Sequence, residues 1–125
     1  MQNIRAAAMQ MISSTDPDAN IDTMKRLVRQ AAEQGADWVL LPEYWPLMGR
    51  KDTDKLAFAE PLVNGRFDET RYVRFSETRC ARFQTTLSET AAECDVVLFG
   101  GTIPLKSDAS AVGHFLVDDL RELVV

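Results

Sequence analysis

The side chains of this chain that could take part in catalysis or metal binding are a glutamate, two cysteines and a single histidine. Glu43 lies in LLPEYW, residues 41–46, between an apolar run and two aromatic side chains. Neighbouring aromatic rings lower the local dielectric, which raises the pKa of a carboxyl group toward the range of a general base. The alternative is structural: Glu43 caps a helix that begins near Trp45, or pairs with a surface arginine. The position therefore indicates a site without naming a reaction.

The cysteines and the histidine form no recognisable metal motif. Cys80 and Cys94 are 14 residues apart, and neither has a histidine or another cysteine at metal-ligand spacing. They are typical of free thiols in a cytoplasmic protein, with a disulfide between them as the alternative. His114 is interpreted as a surface or structural residue. We expect neither a metal ion nor an organic cofactor.

Composition argues against several functional classes. The 125 residues fit one domain, and 46% apolar with 26% charged residues is ordinary for a globular protein. The net charge of −5 argues against a nucleic-acid partner. No apolar run approaches the roughly 20 residues that cross a bilayer, and the N-terminus does not resemble a secretory signal. We expect a cytoplasmic protein without a membrane or nucleic-acid partner.

The elements that position Glu43 follow from the hydrophobic pattern. Residues 4–12 are a short apolar run, which predicts a strand buried on both faces. Turn residues follow, and Asn20 or Asp18 is the expected N-cap of a helix that ends at Gly35. The apolar positions that predict this helix are Ile21, Met24, Leu27, Val28, Ala31 and Ala32.

A second apolar run, ADWVLLP at residues 36–42, ends at Pro42. Strand, helix and strand together predict a βαβ unit with parallel strands and a right-handed crossover. Glu43 then lies just past the carboxyl end of a parallel strand. Ligands of α/β proteins bind outside that edge of the sheet.

Three stretches resemble the nitrilase, or carbon–nitrogen hydrolase, superfamily on its amidase side (omega-amidase-like enzymes). AAAMQM (6–11) is similar to the first strand, and NIDTMKRLVRQAAEQGADWVLLPE (20–43) to the helix, second strand and catalytic glutamate. LFGGTIPL (98–105) is similar to the strand and turn after the next helix. The resemblance implies an α/β fold, namely the N-terminal portion of a four-layer αββα sandwich. It also implies pairing with a second subunit through helices, as a homodimer or heterodimer.

The resemblance further implies a Glu–Lys–Cys site. In such a site a cysteine thiolate attacks an amide or nitrile carbon, a glutamate is the base, a lysine stabilises the oxyanion, and water hydrolyses the thioester. Glu43 matches the family glutamate and takes the role of general base. Lys106 comes too early to be the family lysine, and neither Cys80 nor Cys94 lies in the context of the nucleophile. Residues 1–125 are therefore expected to be an incomplete domain that is inactive alone.

Residues 65–88 consist of three eight-residue blocks, GRFDETRY, VRFSETRC and ARFQTTLS. Eight residues turn an α-helix by about 80°, so the repeated Phe67, Phe75 and Phe83 would not share one buried face. Solenoid repeats are also longer, at roughly 20 residues or more. We interpret two of the blocks as an insertion, from a duplication in the coding DNA, in the helix between the second and third strands. The alternative is that the Arg/Phe pairs form an anion or partner site.

The end of the chain, VGHFLVDDLRELVV at residues 112–125, predicts a hairpin about an Asp118–Asp119 turn. The alternative is a reading-frame change shortly after Pro104. An incomplete sandwich would expose a strand edge and an apolar sheet face, so we expect marginal solubility or association.

Three functional hypotheses follow. In the first, the chain is the incomplete N-terminal part of an amidase-type carbon–nitrogen hydrolase, which acts on a small amide or nitrile only when completed. In the second, it is a non-catalytic binding or regulatory subunit that pairs with a full-length homologue. In the third, it is a small independent enzyme that uses Glu43 with Cys80 or Cys94. The sequence favours the first hypothesis.

Overall fold

The computed structural model describes residues 3–61, 82–106 and 114–117. Helices and strands alternate in the first part of this structure, as expected for an α/β fold. The elements in chain order are β1 (Ala6–Ala8), α1 (Pro17–Glu33), β2 (Trp38–Leu40), a 3-10 helix (Asp52–Phe58), β3 (Glu60–Pro61), α2 (Arg82–Cys94), β4 (Val97–Phe99), β5 (Thr102–Lys106) and β6 (His114–Val117).

The strands form two sheets in the part of the chain that the structure describes. The first has the order β1-β2-β4 and is parallel throughout, with Val39 opposite Ala7 on one side and Leu98 on the other. The predicted parallel βαβ unit is therefore confirmed. The second sheet has the order β3-β5-β6, in which β5 pairs parallel with β3 and antiparallel with β6.

The N-cap of α1 is Asp16, so the prediction of Asp18 or Asn20 was wrong. The Asp16 carboxylate accepts hydrogen bonds from the backbone N–H groups of Asp18 at 3.0 Å and Ala19 at 3.4 Å. Asn20 lies inside the first turn of the helix, where its buried side chain donates to the carbonyl oxygen of Pro46 at 2.8 Å. Asn20 is therefore used to hold the chain after β2 rather than to cap α1.

The end of α1 follows the prediction. The helix stops at Glu33, Gln34 is its C-cap, and Gly35 has a φ of +84°. This left-handed conformation carries little steric cost for glycine, which explains the residue at this helix end.

Helices α1 and α2 pack together over one face of the first sheet. Val39 and Leu98, which lie opposite each other on β2 and β4, face this side and are fully buried. Of the six predicted apolar positions of α1, four are buried in the same core and Ala32 packs against it, whereas Leu27 is half-buried and lies outside it. The buried members of the core are Ile21, Met24, Val28, Ala31, Ala36, Val39, Leu41, Trp45, Phe83, Leu87, Ala91, Val96, Leu98 and Ile103.

The opposite face of the first sheet is apolar and partly exposed. Trp38 and Leu40 alternate with Val39 and keep 37% and 40% of their surface accessible, and the Trp38 ring lies edge-on to Phe99 at 5.5 Å. On β1, Ala6 and Ala8 are exposed, so the prediction of a strand buried on both faces was wrong. In the described structure, the helices cover one side only. We call Ala6, Ala8, Trp38, Leu40 and Phe99 the apolar sheet face.

Two features of the sequence fall wholly or partly outside the described residues. Residues 65–81, which hold the first two repeat blocks and Cys80, lie outside them, whereas the rest of the third block forms the first half of α2. At the other end of the chain, the first run of the predicted hairpin is β6, which pairs with β5. The Asp118–Asp119 turn lies outside the described residues.

Candidate active site around Glu43

Glu43 lies on a turn that follows β2. Residues 43–46 form this turn, and the Glu43 side chain is exposed. Because no helix begins at this turn, the helix-capping alternative was wrong. No described residue forms an ion pair with Glu43, so the pairing alternative has no support within the described ranges. The expected shielding of the carboxylate by both aromatic rings was also wrong, since Trp45 is directed into the core.

The turn that carries Glu43 is held by residues 100–102, which we call the β4–β5 turn and which include Thr102, the first residue of β5. The Trp45 side chain is fully buried, and its Nε1–H donates to the carbonyl oxygen of Gly100 at 2.7 Å. The backbone N–H of Tyr44 donates to Thr102 Oγ1 at 2.8 Å. Gly101, with a φ of +68°, lies directly against the carbonyl oxygen of Pro42. These three contacts join the residues around Glu43 to the next strands.

Tyr44, the neighbour of Glu43, has a left-handed backbone with a φ of +52°. For a residue other than glycine, this conformation costs roughly 1–2 kcal/mol. The Tyr44 ring also lies under the ammonium group of Lys55, with Nζ 3.7 Å from the ring centroid. Sequence reasoning did not identify Lys55 or Thr102 as site residues. Thr102 was inside a recognised motif, but its contact joins residues 58 apart in the sequence.

A buried carboxylate, that of Glu60, is linked to the Glu43 turn through the first residues of α2. Glu60 is 3% exposed and accepts hydrogen bonds from the backbone N–H of Phe83, from the backbone N–H of Gln84 at 3.3 Å and from its Nε2 at 3.0 Å. Burial raises the pKa of Glu60, although these hydrogen bonds and the charge of Arg82 lower it in part. Phe83 in turn packs edge-on against Trp45 at 6.1 Å. Glu60 therefore fixes the start of α2, where Phe83 contacts Trp45 of the Glu43 turn, a role that the sequence did not reveal.

Cys94 lies at the wrong end of the sheet to act with Glu43. It is the last residue of α2, three positions before Val97 begins β4, so it lies near the amino end of that strand. Glu43 lies beyond the carboxyl end of β2, and β2 and β4 are parallel. The Cys94 thiol is free, and burial raises its pKa, which disfavours the reactive thiolate. The hypothesis of an independent enzyme is therefore wrong for Cys94, and Cys80 lies outside the described residues.

Lys106 and His114 are also not brought to Glu43 by the strands that carry them. Thr102 begins β5 beside Tyr44, and Lys106 ends the same strand. Four residues of extended chain span about 13 Å, so the Lys106 backbone is far from the Glu43 turn. His114 begins β6, opposite Leu105 near the same far end of β5.

The described residues hold neither a cluster of metal-binding side chains nor a membrane-spanning helix. Within residues 3–61, 82–106 and 114–117, no group of three or more His, Cys, Asp or Glu side chains is placed to hold a metal ion. None of the helices in these ranges is both long enough and apolar enough to cross a membrane.

Comparison with known proteins identifies the family. The family model named carbon-nitrogen hydrolase matches residues 5–124. The protein named omega-amidase NIT2 from Danio rerio is 33% identical over 104 residues, which cover 83% of this chain and 31% of that protein. The chain thus spans only part of the length of this curated relative. The predicted superfamily is confirmed, and the chain belongs to the carbon–nitrogen hydrolase family.

Proposed function

We propose that this chain is the N-terminal part of an amidase-type carbon–nitrogen hydrolase and that Glu43 is its general base. The substrate is a small amide or nitrile. The main support is the position of Glu43, which is exposed on a turn beyond the carboxyl end of a parallel strand. A base must reach both solvent and substrate, and the contacts of residues 42–45 with the β4–β5 turn restrict its movement.

The proposed reaction proceeds through a thioester. Glu43 accepts the proton of a cysteine thiol, and the thiolate attacks the carbon of the amide. A lysine ammonium stabilises the negative oxygen that develops. The amine leaves with the proton that Glu43 took from the thiol, which regenerates the Glu43 carboxylate. Water, deprotonated by this carboxylate, attacks the thioester, and the acid is released as the cysteine leaves as a thiolate and takes the proton back from Glu43. The lysine and the cysteine are supplied by the part of the family domain that this chain does not span, so the chain alone is inactive.

The proposed complete fold is the four-layer αββα sandwich. Helices α1 and α2 form one outer layer over the first sheet. The apolar sheet face is the surface that the other central sheet of the complete sandwich covers. Exposed tryptophan and leucine side chains on a sheet are typical of such a contact surface. The free Cys94 thiol fits the proposed cytoplasmic location, where thiols stay reduced.

A chimera tests the role of Glu43. In it, this chain replaces the matching N-terminal part of Danio rerio omega-amidase. The isolated chain should release no ammonia from a small primary amide, whereas the folded chimera should. Replacement Glu43→Gln in the chimera should lower kcat by about 10²–10⁴-fold, the range for loss of a general base. Glu33→Gln, at an exposed glutamate that ends α1, is the matched control and should leave kcat unchanged.

Three results would contradict the proposal. Full activity of the Glu43→Gln chimera would exclude Glu43 as the base. Activity of the isolated chain that disappears when both Cys80 and Cys94 are replaced by alanine would favour an independent enzyme. A folded but inactive chimera, together with co-purification of the chain with a full-length homologue, would favour the binding-subunit alternative.

A further inference from the structure

One side chain of the β4–β5 turn, that of Thr102, hydrogen bonds directly to the Glu43 turn. Trp45 and Pro42 contact backbone atoms of Gly100 and Gly101, whereas Tyr44 donates its backbone N–H to the hydroxyl of Thr102 at 2.8 Å. Thr102 is therefore the place at which a side-chain substitution acts directly on the residue next to Glu43.

The Tyr44 backbone needs such a partner. A left-handed tyrosine is less stable than an ordinary one, and strained conformations persist only where surrounding contacts enforce them. Such residues are concentrated at functional sites. Thr102 is 9% exposed, so water competes poorly for its hydroxyl. As a β-branched residue at the start of a strand, Thr102 also has few rotamers, which keeps the hydroxyl directed at the Tyr44 N–H.

We infer that Thr102 is a positioning residue for Glu43. Its hydroxyl holds Tyr44 in the left-handed conformation, and the conformation of Tyr44 sets the direction in which the chain presents Glu43. The contact acts across 58 residues and couples the turn after β2 to the start of β5. This inference rests on the proposed role of Glu43 as the general base.

Hydrogen exchange in the full chain tests the inference without any turnover. In the isotope-labelled protein, Thr102→Val keeps the branched shape but removes the acceptor. The Tyr44 amide should then exchange about tenfold faster, which corresponds to the loss of one buried hydrogen bond. The resonances of the Glu43 backbone and carboxyl carbon should shift. The amide of Val39, in the centre of the first sheet, is the internal control and should exchange at the wild-type rate.

Two other variants separate the hydroxyl from general destabilisation. Thr102→Ser keeps the hydroxyl and should restore both the Tyr44 exchange rate and the Glu43 resonances. Thr102→Ala removes it without placing an apolar methyl near the Tyr44 N–H, and should resemble Thr102→Val.

The inference is overturned if Tyr44 exchange in Thr102→Val and Thr102→Ala stays within about twofold of wild type. It is also overturned if Val39 accelerates equally, since Thr102 would then act on the whole fold. Failure of the proposed function is a separate result, because it appears as full activity of the Glu43→Gln chimera. In that case faster exchange of the Tyr44 amide in Thr102→Val would show only that Thr102 and Tyr44 are in structural contact. The positioning role of Thr102 would be rejected.

Discussion

Replacement Gly101→Ala tests how closely the Glu43 turn is fitted to the β4–β5 turn. A Cβ atom at Gly101 would lie well inside the 3.0 Å that real Cβ atoms keep from the carbonyl oxygen of Pro42, and 3.2 Å from Trp45 Cδ1. Because the carbonyl belongs to the backbone and the Trp45 ring is buried, neither can move without shifting the turn. The φ of +68° adds a conformational cost for any residue other than glycine.

Gly35→Ala is the matched control for this substitution. Gly35 also has a positive φ, of +84°, but a Cβ atom there would meet only the end of the flexible, exposed Arg5 side chain. Both alanines carry the left-handed cost of roughly 1–2 kcal/mol. Only Gly101→Ala adds the overpacking cost of about 1–3 kcal/mol. We therefore expect losses of about 1–2 kcal/mol for Gly35→Ala and about 2–5 kcal/mol for Gly101→Ala.

Urea unfolding followed by circular dichroism measures both losses. The m-values of the variants must equal that of the wild type for the comparison to be valid. Equal losses for Gly35→Ala and Gly101→Ala would refute the reasoning, because they would mean that the Pro42 carbonyl and Trp45 adjust freely. Steric contact with Gly101 would then not explain why the Glu43 turn is restricted.

Two further predictions concern Glu60. Burial raises the pKa of Glu60 above 4.5. Between pH 4.5 and the raised pKa, the folded protein therefore binds more protons than the unfolded chain. The free energy of unfolding consequently falls as the pH rises through that window. Glu60→Gln should remove the fall in a pH series of urea unfolding curves, while costing about 1–3 kcal/mol at acidic pH for a lost acceptor; an unchanged pH slope would contradict the assignment. Deletion of residues 66–81 should preserve the fold. Glu60 accepts a hydrogen bond from the Phe83 N–H, so the residues before and after the deleted segment are already in contact. The thermal midpoint of the deletion variant should equal or exceed that of the full chain, and a lower midpoint would argue against an insertion.

The sequence predicted the elements whose pattern is local. The apolar stripe of α1, the glycine at its end and the strand before Pro42 need only short-range periodicity and turn chemistry. All three were confirmed, except that Leu27 lies outside the core. The N-cap was missed because the side chain of Asn20, a residue type that often caps helices, instead donates a hydrogen bond to the Pro46 carbonyl oxygen on a distant turn. The exposure of Ala6 and Ala8 was missed because burial depends on what covers a sheet, and an apolar run does not reveal this.

The candidate site was predictable only in part for the same reason. The family motif supplied Glu43 directly. The contacts around it join residues far apart in the chain: Tyr44 to Thr102, Trp45 to Gly100 and Glu60 to Phe83. Each requires the fold to be known before the partner can be named. A glutamate between apolar residues and Pro61 was the only local sign that Glu60 is buried.

The two tryptophans of the chain have opposite environments, which gives the protein two separate optical reporters. Trp45 is fully buried against the β4–β5 turn, whereas Trp38 is 37% exposed on the apolar sheet face. A soluble quencher such as acrylamide should therefore reach Trp38 and leave the emission of Trp45. Any polypeptide that packs on the sheet face would shield Trp38 and shift its emission to shorter wavelength. Loosening of the Glu43 turn would instead change Trp45, so intrinsic fluorescence alone can distinguish completion of the domain from disturbance of its site.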